Sequence, residues 1–340
     1  MTFKNILVVN VNWLGDVIFS TPVFRALKEK YPEVRIACMA VPRVCEVLKF
    51  VPFVDEVIPL DEDAMKWRPW QWIFFSHKIS SYKFDAVFLL HGSKTRAFLM
   101  KWAGIPVRVG YERKGRGKFL THPIKSQSGK IHRSDFYMEV IRSFGVEVKN
   151  DRNILTVPEQ GRERVCLLLN DSGVDEHKSF IVLHVCGNWD LKVWSEQNFT
   201  LLIRRLMNDF KMQVVIPGGK NDLPRINRIV ASLEIKPAIL AGQTDLQQLI
   251  HLLSMAQIVI SSDSGPLHVA NSVGTKVVGI FGPTRPEITG PRGTGQAVIL
   301  QKDVGCNREP CYYLDCPDNV CVKALSVEDV CCAVRQIQNS

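Results

Sequence analysis

Short apolar runs alternate with longer stretches in which apolar residues return at helical spacing, and this alternation continues along the whole chain. Ile6 to Val11, Val34 to Ala40, Val54 to Pro59, Ala86 to Leu90 and Val107 to Val109 predict strands, with helical patterns between them. The first helical stretch runs to about Lys30 and places Val23, Ala26, Leu27 and Tyr31 on one face. Pro22, behind Thr21, predicts a kink or a restart within it. Strands and helices in strict alternation imply a parallel sheet covered by helices.

A helix over 159–170 and the polar break DSGVDEHKS follow, so a domain boundary is expected near Val174. A second α/β unit opens at Phe180 with IVLHVCG. Ser195 is the expected cap of a helix whose Phe199, Leu202, Ile203, Leu206 and Phe210 repeat at helical spacing. Val214 to Ile216 reads as the next strand and Gly218-Gly219 as its turn. Thr244-x-x-Gln247 predicts a capping box for a helix from Asp245 to Ala256.

Two glycine turns carry candidate chemistry. Trp13-Leu14-Gly15-Asp16 joins the first strand to its helix, but a single glycine is not the dinucleotide fingerprint, which needs three. The stretch QIVISSDSGPLHVANSVGTKVVGIFG, from Gln257 to Gly282, reads as buried strand, tight turn, short helix and second buried strand. A helix beginning there presents free N–H groups and the positive end of its dipole, which suits phosphate or pyrophosphate. The plainer reading, that Asp263 and Ser264 only cap the helix, stays open. His268 lies four residues after Ser264 on the same helical face.

At 340 residues the chain has room for two α/β domains, and its net charge of +9 suits acidic partners without choosing among them. The N-terminus has only a short apolar run and no small-residue cleavage site, so it reads as a strand rather than a signal peptide. No apolar stretch approaches the ~20 residues of a bilayer-spanning helix, and a cytoplasmic location is expected. The ten cysteines are then expected as thiols, with Cys38, Cys166 and Cys186 buried. Cys306, Cys311, Cys316 and Cys321 recur every five residues, a spacing unlike the usual zinc and iron–sulfur patterns, so a local structural role is favoured over a metal.

Between Tyr111 and Arg133 the periodicity breaks into a basic stretch with no acid after Glu112. A solvated loop and a site for an acidic substrate are both open readings. The segment Met65 to Phe84 carries Trp67, Trp70, Trp72, Phe74 and Phe75 with Lys66, Arg68 and Lys78. Its aromatics are expected to pack in the core, with a membrane surface as the alternative.

NWLGDVIFSTPVFRALKEKYP, LKVWSEQNFTLLIRRL and AGQTDLQQLIHLLSMAQIVISSDSGPLHVANSVGTKVVGIFGPTRP resemble, in order and spacing, the lipopolysaccharide heptosyltransferases, glycosyltransferase family 9. The motif D-S-G-P-x-H after a buried strand is the specific part, and Asn12-Trp13-Leu14-Gly15-Asp16 is most similar to the heptosyltransferase II branch. The resemblance implies an α/β fold of the GT-B kind, two Rossmann-like domains with parallel sheets facing across a cleft. Residues 1–174 would bind the acceptor and 175–340 the donor, with the last helix, about 326–337, packing back towards the first domain. It implies inverting transfer from ADP-L-glycero-D-manno-heptose to the inner core of lipopolysaccharide, at the cytoplasmic face of the membrane. No metal, cofactor or nucleic acid is implied. Another ADP-sugar or acceptor, or a binding protein without turnover, is the alternative.

Residue by residue, the resemblance makes Asp16 the base and Lys192, in Lys192-Val193-Trp194, the holder of donor phosphate. Ser264 and Gly265 would offer N–H groups to the diphosphate, Asp263 would face the sugar hydroxyls, and His268 would stand beside the phosphate. Asp222 would approach the ribose. Gly187 and Asn188 stand where the family often supplies hydroxyl side chains, and Asn10 where other branches often have a basic residue. Asn12 and the basic side chains of Arg113, Lys114, Arg116 and Lys118 are expected at the acceptor.

Overall fold

The computed structural model describes residues 2–113, 115–125, 131–175, 177–187, 189–306, 311 and 316–339. It divides into two compact units, residues 1–156 and 157–340.

The first unit runs β1 (Asn5–Val9), α1 (Leu14–Phe19), α2 (Thr21–Lys30), β2 (Arg35–Ala40), α3 (Pro42–Leu48), β3 (Glu56–Pro59), α4 (Glu62–Lys66), α5 (Pro69–Ser81), β4 (Ala86–Leu89), α6 (Lys94–Trp102), β5 (Val107–Tyr111), β6 (His122–Ile124) and α7 (Arg133–Arg142). Its six strands are all parallel, in the order β3-β2-β1-β4-β5-β6. The restart predicted at Pro22 is the break between α1 and α2 at Ser20, with Pro22 in the first turn of α2.

The second unit runs α8 (Arg162–Asp171), β7 (Phe180–His184), α9 (Glu196–Asn208), β8 (Gln213–Ile216), α10 (Leu223–Val230), β9 (Ala238–Ile239), α11 (Leu246–Met255), β10 (Ile258–Ser262), α12 (Gly265–Ser272), β11 (Lys276–Ile280), α13 (Pro286–Thr289), β12 (Ala297–Leu300), α14 (Val320–Lys323) and α15 (Val327–Gln338). Its sheet repeats the topology in parallel, β12-β11-β10-β7-β8-β9. Each unit is therefore Rossmann-like, and each has a switch point: between β1 and β4 in the first, between β7 and β10 in the second. Chain leaving the carboxyl ends of those strands turns in opposite directions and opens a crevice there, where open α/β sheets bind ligands.

The central strands are buried because helices cover both faces, which is why they read as continuous apolar runs. Trp194 anchors the second core, fully buried, edge-on to Phe199 at 5.5 Å and donating its indole N–H to the Leu325 carbonyl at 3.0 Å. Four readings of the sequence are corrected. The units divide at Thr156–Val157 rather than near Val174, since α8 packs on α11. The capping box is Asp245 with Gln248, one residue later than predicted. α15 lays Val330, Cys331, Val334 and Ile337 into the second unit's own core, against α9, β11 and β12. Cys166 is only partly buried. Strands β6, β9 and β12 went unpredicted: all three lie at sheet edges, β6 and β9 are very short, and none is deeply buried.

The aromatics of 65–84 are divided between two environments. Phe75 and Ile79 enter the first unit's core with Trp72 against it, whereas Trp67, Trp70, Ile73 and Phe74 are exposed.

Candidate active site

At the second switch point β10 ends in Ser261-Ser262 and α12 starts at Gly265, with Ser264 as N-cap in an extended conformation. The Ser264 side chain does not cap the helix. Its hydroxyl instead turns back to the Ser261 hydroxyl at 2.8 Å and the His184 Nδ1 at 3.4 Å, while Ser261 also meets that nitrogen at 3.2 Å. The simple capping reading fails here, and the first-turn N–H groups of α12, Pro266 excepted, are left without a side-chain cap. Burial pushes the His184 imidazole down to about 4, so it is neutral at physiological pH and serves these hydroxyls as a hydrogen-bonding partner.

Asp263, buried behind that helix start, accepts from four side chains. Lys192 Nζ lies 2.7 Å from Oδ2, Thr284 Oγ1 2.7 Å and Thr289 Oγ1 3.2 Å from the same oxygen, and His268 Nε2 lies 3.2 Å from Oδ1. Burial alone works against the charge, but the hydrogen bond with His268 and the nearby Lys192 ammonium outweigh it and hold the carboxyl below the usual carboxylate range. A carboxylate so engaged organises its neighbours: it fixes the partly exposed Lys192 beside the start of α12. Lys192 itself closes a single 3-10 turn, Asp190–Lys192, after β7. Sequence reading paired Lys192 and Asp263 with a ligand, not with each other, because a separation of 71 positions carries no sign of the contact.

Gly187 is exposed in the loop after β7, and Asn188 lies outside the described residues. Asp222 is engaged locally: its Oδ2 accepts the Gly219 N–H at 2.7 Å and closes the turn ahead of α10. Gly218 is needed there, since a Cβ would lie 3.0 Å from that oxygen.

At the first switch point Asp16 sits in the first turn of α1, and Tyr137 on α7 donates its hydroxyl to Asp16 Oδ1 at 2.8 Å. Burial, with the Asp16 charge added, raises the Tyr137 phenol well above its ordinary value, so it stays a donor. No sequence signal marked Tyr137, which lies 121 residues from its partner. The turn holding Asp16 is braced by Arg96, fully buried, which pairs with Glu62 through Nε at 3.0 Å and Nη2 at 2.6 Å and donates to the Asn10 carbonyl and the Asn12 side chain, each at 3.0 Å. Asn12 is thus part of the brace, and it also lines a cavity of about 360 Å³ with Arg43, Asp61 and Glu62. Asn10, at the position noted for a basic residue elsewhere, is buried and bonds Cys38.

The basic stretch is not uniform. Arg113 and Lys118 are exposed, Lys114 lies outside the described residues, and Arg116 is buried. Arg116 donates to the carbonyls of Tyr111 and His91, and burial together with Arg113 pushes it down to about 10. Its expected exposure to an acceptor is corrected: this guanidinium fastens the loop to β4 and β5. Among the described residues no cluster of His, Cys, Asp and Glu is arranged to hold a metal; Cys306, Cys311 and Cys316 are free thiols, and the Cys321 thiol donates to the Asn319 side chain at 3.7 Å.

The fold is that of GT-B glycosyltransferases. A family model described as glycosyltransferase family 9 (heptosyltransferase) matches residues 72–313. Lipopolysaccharide heptosyltransferase 2 of Salmonella typhimurium is 24% identical over 314 residues, 86% of this chain and 87% of that one. The crystal structure of a family 9 glycosyl transferase from Veillonella parvula superposes with a TM-score of 0.87 at 23% identity, over 99% of this chain and 97% of that one. Escherichia coli ADP-heptose lps heptosyltransferase II gives 0.83 at 23% identity, over 98% of each. The chain belongs to glycosyltransferase family 9, the heptosyltransferases.

Proposed function

We propose that the protein transfers L-glycero-D-manno-heptose, with inversion, from ADP-heptose to a hydroxyl of the lipopolysaccharide inner core, as a heptosyltransferase of the second kind. The observation that carries this reading is the start of α12, where uncapped N–H groups and a Lys192 held by Asp263 make a site for a diphosphate. The names of the relatives support the donor and the acceptor, and the Asn12-to-Asp16 motif supports the branch.

The chemistry follows from the groups present. The acceptor hydroxyl attacks the anomeric carbon as the bond from that carbon to the diphosphate oxygen breaks. The hydroxyl proton goes to Asp16, whose Oδ1 is tied by Tyr137, leaving Oδ2 to receive it. Negative charge grows on the departing ADP and is met by Lys192 and by the N–H groups of Gly265 and its neighbours. Asp263 orients the lysine, Ser264 joins the diphosphate site, His268 stands behind it, and Gly187, Asn188 and Asp222 approach the nucleotide. Arg113 and Lys118, both exposed, receive anionic groups of the acceptor.

A thermal-shift series with ADP, ADP-heptose, UDP, GDP and NAD tests the donor, because a ligand of the folded state raises the midpoint. Stabilisation by ADP, and more by ADP-heptose, is expected. A preference for UDP or NAD removes the donor assignment.

A further inference from the structure

Helix α5 is apolar on two sides. Its inner side, Phe75, Ser76 and Ile79, is buried in the first unit. Its outer side, Trp70, Ile73 and Phe74 at helical spacing, is exposed, and Trp67 just before it is 83% and Phe74 71% exposed. A helix apolar all round belongs in a core, so one with an open side marks a surface meant to be covered. The patch continues onto α6, which packs beside α5 and exposes Phe98 and Trp102, their rings 5.9 Å apart. Phe119 joins it, 5.3 Å from Phe98.

The charges carried by the elements of this patch have one sign. α5, α6 and the single turn Gly117–Phe119 contain no Asp or Glu. Lys66, Arg68, Lys78, Lys94, Lys101 and Lys118 are exposed on or beside them. Lys66 lies 6.0 Å from the Trp67 ring centre, and Lys101 and Lys118 lie 5.9 and 5.3 Å from that of Phe119. On neighbouring α4, Glu62 is taken by Arg96 and Asp61 caps the helix, which leaves Asp63 as an exposed acid beside six exposed basic side chains. Lysine is depleted in protein–protein interfaces, whereas tryptophan beside lysine is the composition of a surface that enters the headgroup region of a bilayer.

We propose that this face of the first unit, Trp67, Trp70, Ile73 and Phe74 with the surrounding lysines, docks the protein on an anionic lipid surface. The aromatic rings enter the boundary between headgroups and acyl chains, and the ammonium groups meet lipid phosphates. No donor, acceptor or turnover is needed for this, so the docking face and the transferase reading stand or fall separately.

Vesicle flotation with the full chain tests it, using phosphatidylcholine alone and phosphatidylcholine mixed with phosphatidylglycerol. The chain is expected to float with the mixed vesicles, to be released by high salt, and to show tryptophan quenching by lipids brominated along the acyl chain. Trp67→Ser with Phe74→Ser is expected to lower partitioning by about tenfold or more, and Lys66→Glu with Lys78→Glu to abolish the preference for phosphatidylglycerol. Circular dichroism and the thermal midpoint are expected to stay as in the parent, since all four side chains are exposed. Absence of flotation, or flotation undiminished in the Trp67→Ser/Phe74→Ser variant, overturns the proposal. So does a self-associated parent in sedimentation velocity that this variant converts to monomer, because the face then belongs to a second copy.

Discussion

Asp16 and Tyr137 show how a site is built from residues that the sequence keeps apart. A phenol that stays protonated donates to one carboxylate oxygen and fixes the plane of the other. Asp16→Ala is expected to lower kcat by about 10²–10⁴-fold while ADP-heptose affinity, proposed to rest on residues of the other unit, changes little. Tyr137→Phe is expected to lower kcat roughly tenfold with both KM values nearly unchanged, the size of one hydrogen bond to a charged group. Steady-state kinetics check both, and full turnover by Asp16→Ala removes the base assignment. His184 gives a pH dependence. Its folded value, about 4, lies below the ordinary 6.5, so the unfolded chain binds the proton more tightly. Stability is complete above pH ~6.5 and is lost as pH falls towards ~4, by roughly 3 kcal/mol. Thermal midpoints measured across that window should fall less steeply for His184→Gln than for the parent; equal slopes would place the acid sensitivity elsewhere.

At the scale of elements, α12 is held at its far end by the loop that precedes β12. Asn271 donates to the Gly295 carbonyl at 2.6 Å, and the Gly295 N–H returns to the Asn271 carbonyl at 2.9 Å. A Cβ on Gly295 would stand 2.1 Å from the Thr275 carbonyl oxygen, so the backbone must shift to admit it. Gly295→Ala is expected to cost about 1–3 kcal/mol or more in stability and to weaken ADP binding, since the helix start moves with the helix. Calorimetry and an ADP titration read the two effects, and unchanged ADP affinity would show that α12 keeps its place without this loop. The same scale explains why 65–84 was only half legible. Periodicity reports where apolar residues recur, and α5 has them on both sides, so the pattern could not say which side the first unit covers.

For the whole molecule, each unit closes its own core around its own parallel sheet, so unfolding in a calorimeter is expected to resolve into two transitions. ADP, proposed to bind at the start of α12, should raise only the one belonging to residues 157–340, by about 2.7 kcal/mol at a hundredfold excess over its Kd. A shift of the other transition instead would move the nucleotide site to the first unit. No helix among the described residues is long and apolar enough to cross a membrane.

The sequence by itself determined the two α/β units, their central strands, the cap at Ser195, and the two glycine turns. These rest on local periodicity and turn chemistry, which neighbouring residues express directly. Only the tertiary structure decided that Asp263 gathers Lys192, His268, Thr284 and Thr289, that Tyr137 meets Asp16, and that Arg116 is buried while Lys118 is exposed. Those contacts join residues far apart in the chain, and burial of a charged side chain depends on partners that the sheet order brings together. Local pattern carries no record of either.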